Sequence, residues 1–203
     1  MEKTGISGPD DEQAHDNAVD VSVDVRGTAL SLRKADASDV PAIARLMNVS
    51  YRGVGPNAGW NSEAQFIEGD RTSAEDLLAQ LSGSPRGFFL VLDDPEGGLR
   101  ACVWVEPLCA DKWYLGSLTV DPGLQNGGLG REVLAAGEQW AMDRGALEIQ
   151  MQVLNVRDTL IAWYQRRGYR LTGETRPFPY QDARFGVPLR SDLEFVVLER
   201  SLR

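Results

Sequence analysis

The stretch that decides the fold is residues 113–145, which read WYLGSLTVDPGLQNGGLGREVLAAGEQWAMDRG. Residues 113–120 are aromatic, β-branched and apolar, which favours a buried strand. Residues 121–123 (Asp-Pro-Gly) break this strand, and three glycines follow within residues 125–130. The apolar residues after the glycines recur at helical spacing, so the stretch predicts a strand, a glycine-rich turn and a helix.

This order of elements suits the binding of an anion. The first amides of a helix have no partner within the helix, and the helix dipole attracts negative charge to them. Glycines let the backbone approach a phosphate closely, and Arg131 adds a fixed positive charge just inside the helix. The alternative is that the turn is only an ordinary connection between a strand and a helix.

Two familiar phosphate-binding motifs do not fit the turn. A P-loop ends in Gly-Lys-Ser/Thr, whereas Gly130 is followed by Arg131 and Glu132. A dinucleotide fingerprint needs a third glycine after Gly128 and Gly130, and Val133 stands in its place. The turn therefore has to be explained by another motif.

Length and composition indicate one globular domain. The chain has 203 residues, of which 42% are hydrophobic and 25% charged, which is ordinary for such a domain. No run of about 18 apolar residues predicts a membrane span. The polar N-terminus has no apolar segment of the signal-peptide type, so we expect a cytoplasmic protein. The two cysteines, Cys102 and Cys109, predict no disulfide framework.

The formal net charge of −9 is unevenly distributed. Residues 1–28 contain seven acidic and two basic residues and so account for −5 of it. An acidic body argues against nucleic acid as a partner and is compatible with a cationic or amine substrate. His15 is the only histidine, which argues against a Ser-His-Asp triad, a Cys-His pair and a multi-histidine zinc site. We therefore predict no metal.

Periodicity predicts a mixed sheet with helices on both faces. Residues 1–27 are polar and acidic and predict a disordered leader, although the alternation over 19–25 could add a strand. Strand patterns cover seven further segments, 29–34, 87–93, 99–106, 113–120, 146–153, 169–174 and 193–200. Helical patterns cover 39–50, 61–67, 73–81, 126–144 and 158–168, and long loops cover 51–60 and 175–192. The strands between 87 and 120 form an antiparallel meander, and the helix that follows makes the next strand parallel to 113–120.

The glycine turn resembles a motif of the GNAT acetyltransferase superfamily. The sequence Gln125-x-x-Gly128-x-Gly130, after the strand end Leu118-Thr119-Val120, is similar to the one with which that family binds the pyrophosphate of acetyl-CoA. A second motif, Trp163-Tyr164-x-x-x-Gly168-Tyr169, is similar to the aromatic-Tyr pair that precedes Gly-Phe/Tyr in the family. The two motifs stand in the family's order around a crossover, and the resemblance extends over about residues 29–203.

The resemblance implies an α/β (α+β) fold with a mixed, mostly antiparallel central sheet of six to seven strands and helices on both faces, in a single domain over residues 28–203. It implies that strands 113–120 and 146–153 separate at their ends and that acetyl-CoA, as co-substrate, lies between them. The residues that would bind the coenzyme are Leu118, Thr119, Val120, Gln125, Asn126, Gly127, Gly128, Leu129, Gly130, Arg131 and Asn155. The backbone amide near Leu118 would hold the oxyanion. Four arginines are expected on a solvated face, although one of them could reach the 3′-phosphate: Arg157, Arg166, Arg167 and Arg170.

Tyr164 matches the family's position for the general acid. A tyrosine, with an ordinary pKa of about 10, is protonated at neutral pH, so it can serve as proton donor for the departing thiolate without prior tuning of its pKa. The alternative is a half-buried aromatic side chain on a helix. Glu106 stands at the end of the strand next to 113–120 and is the candidate general base, which would act directly or through water. The alternative is that Glu106 is only an exposed acidic residue at a strand end. The candidate acceptor contacts are Trp60, Glu63 and Tyr114.

The acceptor is less specified than the reaction, because these motifs recognise only the coenzyme. We predict acetyl-CoA-dependent transfer of an acetyl group to a primary amine, first of all of a small molecule, with aromatic lining from Trp60, Phe178 and Tyr180. The alternatives are a protein lysine or N-terminal acetyltransferase and a non-catalytic acyl-CoA-binding or sensor domain. Neither nucleic acid nor a membrane is predicted as a partner, and a homodimer is an open alternative.

Overall fold

The computed structural model describes residues 21–25, 28–55 and 58–203. The helices of this part are α1 (Val40–Arg52), α2 (Ala74–Gly83), α3 (Leu129–Met142) and α4 (Asp158–Gln165). The strands are β1 (Val21–Val25), β2 (Thr28–Lys34), β3 (Ile67–Glu68), β4 (Phe88–Asp93), β5 (Leu99–Pro107), β6 (Lys112–Val120), β7 (Glu148–Leu154), β8 (Arg170–Pro177), β9 (Val187–Pro188) and β10 (Glu194–Ser201). None of the described helices is long and apolar enough to cross a membrane.

The eight longer strands form one sheet in the order β1-β2-β4-β5-β6-β7-β10-β8. Neighbouring strands are antiparallel except β6 and β7, which run parallel. The predicted meander and the predicted parallel pair are therefore confirmed. Seven of the strands match the predicted segments, and the eighth, β1, confirms the added strand for residues 21–25. Residues 1–20 and 26–27 of the predicted leader lie outside the described residues.

The first two helices follow from the chemistry of their N-termini. Pro41 lies in the first turn of α1, where the missing N–H removes no helical hydrogen bond. α2 begins with a capping box in which Ser73 Oγ accepts from the amide of Asp76 at 3.0 Å. In return, the carboxylate of Asp76 accepts from the amide of Ser73 at 3.2 Å. Both predicted helices are confirmed.

The sheet separates two hydrophobic cores. α3 and α4 cover one face, where Trp140 and Tyr164 are buried. α1 and α2 cover the other face, where Met47 and Leu77 are buried. Both faces are thus covered, and neighbouring residues of β4 alternate between the two cores. This explains why the β4 segment reads as a continuous apolar run.

The predicted helix over 61–67 is wrong. Turns occupy this segment, and they lead into β3, which pairs with β9. The side chains with helix-start chemistry make tertiary contacts instead. Asn61 Oδ1 accepts from Arg157 Nη2 at 2.8 Å, and Ser62 Oγ donates to the carbonyl of Gly53 at 2.9 Å. Local propensity is overridden here because both capping groups are used elsewhere in the fold.

α3 begins at Leu129, three residues after the predicted start. Asn126 has a φ of 70° and Gly128 a φ of 95°. Positive φ is incompatible with a right-handed helix, so the chain cannot become helical before Leu129. The glycine turn therefore remains outside the helix and leads directly into its N-terminus.

Candidate active site

β6 and β7 are paired at one end only. Their pairing runs from Lys112 opposite Glu148 to Tyr114 opposite Gln150, although β6 continues to Val120 and β7 to Leu154. The unpaired halves of the two strands line a cavity that opens between them. This confirms the separation of strand ends that the family resemblance implies.

A β-bulge interrupts β6 beside this gap. The pairing with β5 shifts between Cys102 opposite Thr119 and Trp104 opposite Gly116, so β6 holds one extra residue there. Ser117, within the bulge, has a φ of 49°. A bulge leaves one residue outside the regular ladder and redirects the neighbouring backbone. The bulge therefore lies at the backbone near Leu118, where the family resemblance places the oxyanion contact.

A cavity of about 400 Å³ lies beside the glycine turn, and we call it the glycine-turn cavity. It joins the turn to α4 and to the end of β6. From the turn and the start of α3 it is lined by Gln125, Asn126, Gly128, Gly130 and Arg131. From α4 and the residues after it the lining consists of Thr159, Leu160, Trp163, Tyr164, Arg166 and Arg167. The glycine motif and the aromatic-Tyr motif thus face one cavity.

The glycine-turn cavity has the donor set of an anion site. Its lining, within the described residues, contains three arginines and no carboxylate. The guanidinium of Arg167 stacks over the ring of Trp163 at 3.4 Å, and its Nη1 donates to the carbonyl of Trp163 at 2.7 Å. Arg167 Nε is buried without a hydrogen-bond partner in the described part of the chain. Together with the free amides at the start of α3, these cations fit a multiply charged anion.

Gln125 connects the turn to two other segments. Its Nε2 donates to the carbonyl of Val120 at 3.1 Å, and its Oε1 accepts from the amide of Trp60 at 3.0 Å. The ring of Trp60 lies 6.2 Å from that of Trp163. Trp60 therefore lines the glycine-turn cavity, and it is absent from the lining of the cavity between the strands.

The second cavity, of about 530 Å³, lies between the unpaired halves of β6 and β7, and we call it the inter-strand cavity. Two predicted acceptor residues, Glu63 and Tyr114, line it. Phe178 lines it too, whereas Tyr180 does not. Burial raises the pKa of Tyr114 to about 12. Gly116 permits this position of Tyr114, because a Cβ there would lie 2.6 Å from the tyrosine ring.

Tyr164 stands where the two cavities meet. Four residues line both of them, namely Tyr51, Leu118, Leu160 and Tyr164. Tyr164 is buried, and its hydroxyl makes no hydrogen bond within the described residues. Burial raises its pKa above the ordinary value for tyrosine, so the hydroxyl remains protonated. The hydroxyl of Tyr51 is engaged differently, since it donates to the carbonyl of Leu118 at 3.0 Å.

Glu63 is the centre of a buried ion-pair cluster. Arg52 Nη1 lies 2.8 Å from Glu63 Oε2, and Arg157 Nη1 lies 3.1 Å from Glu63 Oε1. The side chains of Arg52 and Arg157 are only 8% and 4% exposed. The expectation that Arg157 lies on a solvated face is therefore wrong, because this arginine neutralises a buried carboxylate. Arg166 is exposed, as expected, and it also lines the glycine-turn cavity, whereas Arg167 is only partly exposed and lines the same cavity.

The remaining predicted site residues are not part of the lining of either cavity. Glu106 accepts a hydrogen bond from Trp104 Nε1 at 3.2 Å and stands opposite Tyr114 in the sheet, so it is adjacent to the lining. Asn155 joins two loops, because its Nδ2 donates to the carbonyl of Asp192 at 2.9 Å and its Oδ1 accepts from the amide of Glu194 at 3.2 Å. Three predicted coenzyme residues adjoin the lining without forming part of it, namely Thr119, Gly127 and Leu129.

Sequence reasoning missed many lining residues of these cavities, and three of them bear on the chemistry. Tyr51 lines both of them, and Arg52 and Arg71 line the inter-strand cavity. The only signal in the sequence is their place at the end of the first helix pattern and before the third, next to long loops. Nothing in that spacing indicates which side chains face a cavity. No group of three or more His, Cys, Asp or Glu among the described residues could hold a metal ion.

Comparison with solved structures identifies the fold. A GNAT family acetyltransferase from Elizabethkingia anophelis with acetyl-CoA bound is 18% identical, over 63% of this chain and 83% of the other, with a TM-score of 0.53. A ribosomal-protein-alanine N-acetyltransferase from Brucella melitensis is 20% identical, over 84% of this chain and 99% of the other, with a TM-score of 0.59. The protein yncA from Salmonella typhimurium with its cofactor acetyl-CoA is 19% identical, over 85% of this chain and 93% of the other, with a TM-score of 0.58.

Comparison of sequences identifies the family. No curated protein sequence matches this chain. A sequence model of the acetyltransferase (GNAT) family does match, over residues 43–169. This match covers more than half of the chain and includes the glycine turn, Tyr164 and the end of the aromatic-Tyr motif at Tyr169. The chain is therefore a member of the GNAT acetyltransferase family.

Proposed function

We propose that this protein transfers the acetyl group of acetyl-CoA to the primary amine of a small molecule. The observation that carries the proposal is the position of Tyr164, which lines both the glycine-turn cavity and the inter-strand cavity. A donor held in the first cavity and an acceptor held in the second would meet at this hydroxyl. Such a meeting point is what direct transfer between two bound substrates requires.

The glycine-turn cavity is the proposed site for the phosphate end of the coenzyme, whose thioester end would reach the gap between β6 and β7, as the family resemblance implies. The backbone of Gly128 and Gly130, the start of α3 and the side chain of Arg131 would hold the pyrophosphate. Arg166 and Arg167 supply further positive charge for a phosphate at the edge of the cavity. Acetyl-CoA, when bound, supplies a thioester that an amine can attack. The backbone at the β6 bulge near Leu118 would donate to the thioester oxygen.

Tyr164 is the proposed proton donor for the thiolate. The tyrosine side chain is buried, its hydroxyl has no hydrogen-bond partner among the described residues, and its raised pKa keeps it protonated. Glu106 is the proposed acceptor for the proton that the amine loses, through water, since it lies beside Trp104 and Tyr114 of the inter-strand cavity. Glu63 is less suited to that role, because Arg52 and Arg157 bind both of its oxygens.

The wall of the inter-strand cavity favours a small acceptor over a protein. Beyond β8, Phe178 is only 4% exposed and packs with Ile67, Leu154 and Leu193 in a separate hydrophobic cluster. The ring of Phe178 also contacts two other aromatic rings of the segment after β8. Its centroid lies 5.1 Å from that of Tyr180 and 6.2 Å from that of Phe185. A packed aromatic wall on one side of the cavity suits a small ligand, and this supports a small-molecule acceptor.

The proposal is tested by measuring free thiol released from acetyl-CoA with a panel of amines. Tyr164→Phe should lower kcat by roughly 100-fold, because a general acid contributes about that factor, while the Kd for acetyl-CoA stays nearly unchanged. Tyr180→Phe is the control, because Tyr180 lies outside both cavities. Equal activity of Tyr164→Phe and the wild type, or parallel loss of activity and coenzyme affinity, would contradict the proposed role.

A further inference from the structure

The inter-strand cavity is positively charged, although the protein as a whole is acidic. Its charged lining consists of three arginines and one glutamate within the described residues, namely Arg52, Arg71, Arg176 and Glu63. The formal net charge of the whole chain is −9. Positive charge concentrated in one cavity of an acidic protein attracts anions specifically to that cavity.

The buried cluster at Glu63 leaves an excess of positive charge. Glu63 is bound by Arg52 at 2.8 Å and by Arg157 at 3.1 Å, so two guanidinium groups share one carboxylate. All three side chains are at most 11% exposed, so water screens this excess poorly. The cluster therefore contributes about one uncompensated positive charge to the wall of the cavity.

Arg71 adds a second cation that has no carboxylate partner. Its guanidinium lies 5.5 Å from the ring centroid of Tyr51, and no carboxylate of the described chain lies within 4.0 Å of it. Its backbone is fixed, because Asn48 Oδ1 accepts from the amides of Arg71 at 2.7 Å and Thr72 at 3.1 Å. Arg71 is thus a preorganised cation with free donors at the lining of the cavity. By contrast, Arg176 is paired with Glu174 at 2.9 Å, and both side chains are about half exposed.

Arg71 is linked to the proposed reaction centre through Tyr51. Tyr51, over which Arg71 stacks, lines both cavities, as does Tyr164. A ligand in the inter-strand cavity can therefore place one group near Arg71 and another near Tyr164. Arginine binds carboxylates with two parallel hydrogen bonds, so it selects a planar oxyanion better than a neutral group.

We infer that the acceptor is a small amine that also carries a carboxylate, such as an amino acid, and that Arg71 is the residue that recognises this carboxylate. The inference rests on the proposed acetyl transfer and specifies its substrate class. It adds a carboxylate to the cationic or amine acceptor with which the net charge of the whole chain is compatible. The aromatic side chains of Trp104, Tyr114 and Phe178 would contact the apolar part of such an acceptor.

The experiment compares acceptors that differ only in the carboxylate. The panel contains the twenty standard amino acids, their amides, the decarboxylated amine of each where it exists, spermidine and a lysine peptide. Acetyl transfer is followed by free thiol. We expect the best acceptor to be an amino acid whose kcat/KM exceeds that of its amide and its amine by about tenfold or more, the worth of a charge-assisted hydrogen bond. The inference would be overturned if an amide or an amine had the same kcat/KM as its acid, or if no acid were acetylated.

Variants of Arg71 test whether this residue recognises the carboxylate of the acceptor. Arg71→Gln should lower kcat/KM for the best acid by about tenfold, mainly through a higher KM. The kcat/KM for the corresponding amide should stay unchanged. Arg71→Lys should restore part of the loss. Arg45→Gln, which removes an equal charge from the exposed face of α1, should change neither value. An unchanged preference for the acid in Arg71→Gln would overturn the assignment of Arg71.

The inference and the proposed function fail in different ways. Transfer to amines that lack a carboxylate with a kcat/KM equal to or above that of the acids would refute the inference and leave the acetyltransferase intact. If acetyl-CoA does not bind, or if no amine of any class is acetylated, the proposed function itself fails. Direct measurement of acetyl-CoA binding by calorimetry separates these results.

Discussion

Arg157 Nη1 lies 3.1 Å from Glu63 Oε1, although 94 residues separate them in the sequence. This contact joins the start of α4 to the loop that follows α1, and thereby connects the aromatic-Tyr motif with the far wall of the inter-strand cavity. Arg157 also holds Asn61 at 2.8 Å. The cluster thus positions the loop that carries Glu63. A separate contact, made by Gln125, fixes the loop at Trp60 to the glycine turn.

We predict that Glu63→Gln strongly destabilises the protein. The substitution leaves the buried guanidinium groups of Arg52 and Arg157 without their shared carboxylate, and breaking a buried pair in this way costs about 3 kcal/mol. The free energy of unfolding, measured by urea titration, should fall by that amount. Glu174→Gln is the control, because Glu174 pairs with Arg176 at the surface, where water screens the interaction. Equal stability of Glu63→Gln and Glu174→Gln would refute a structural role for the cluster.

We predict that Gly128→Ala weakens the binding of acetyl-CoA. Gly128 has a φ of 95°, which costs a residue with a Cβ roughly 1 kcal/mol or more. The turn would relax to avoid this strain and would move its amides away from the bound phosphate. Gly97→Ala is the matched control, because Gly97 has a φ of 103° in an open turn between β4 and β5.

Both alanine variants should lose stability to a similar extent, and only Gly128→Ala should raise the Kd for acetyl-CoA. The Kd can be measured by isothermal titration calorimetry. The same Kd in Gly128→Ala as in the wild type would contradict the assignment of the turn as the coenzyme site.

We predict that kcat has no descending alkaline limb below about pH 10, the ordinary pKa of tyrosine. Burial raises the pKa of Tyr164 above that value, so its hydroxyl is protonated below the ordinary pKa and becomes ionised only at a higher pH. A general acid that acts when protonated is therefore active throughout this range. The measurement is a profile of kcat against pH with saturating acetyl-CoA and acceptor. A fall in kcat between pH 7 and pH 9 would show that a different group, with a lower pKa, donates the proton.

The sequence predicted the elements around the glycine turn well, because their signals are local. Residues 113–120 are apolar and β-branched, and the glycines mark the turn between strand and helix. The crossover through α3 then requires β6 and β7 to run parallel. Tyr164 could be placed because its motif lies within seven residues of the chain, from Trp163 to Tyr169.

The charge of the inter-strand cavity could not be predicted, because it depends on contacts between distant segments. Arg52, Arg71 and Glu63 stand in loops and helix ends whose relative positions no local pattern fixes. Net charge summed over the chain pointed toward a cationic acceptor and hid this local excess of positive charge. The false helix over 61–67 has the same origin, since Asn61 and Ser62 use their side chains in tertiary contacts.

The measurement that tests the central claim most directly is thermal unfolding of the purified protein with acetyl-CoA, CoA, ATP or NAD. A ligand that binds only the folded state at a hundredfold excess over its Kd adds about 2.7 kcal/mol of stability, which corresponds to a rise in Tm of several degrees for a chain of this size. We expect this rise with acetyl-CoA and with CoA, and a much smaller one with ATP or NAD. No rise with either coenzyme, or an equal rise with all four ligands, would contradict the assignment of the glycine-turn cavity to acetyl-CoA.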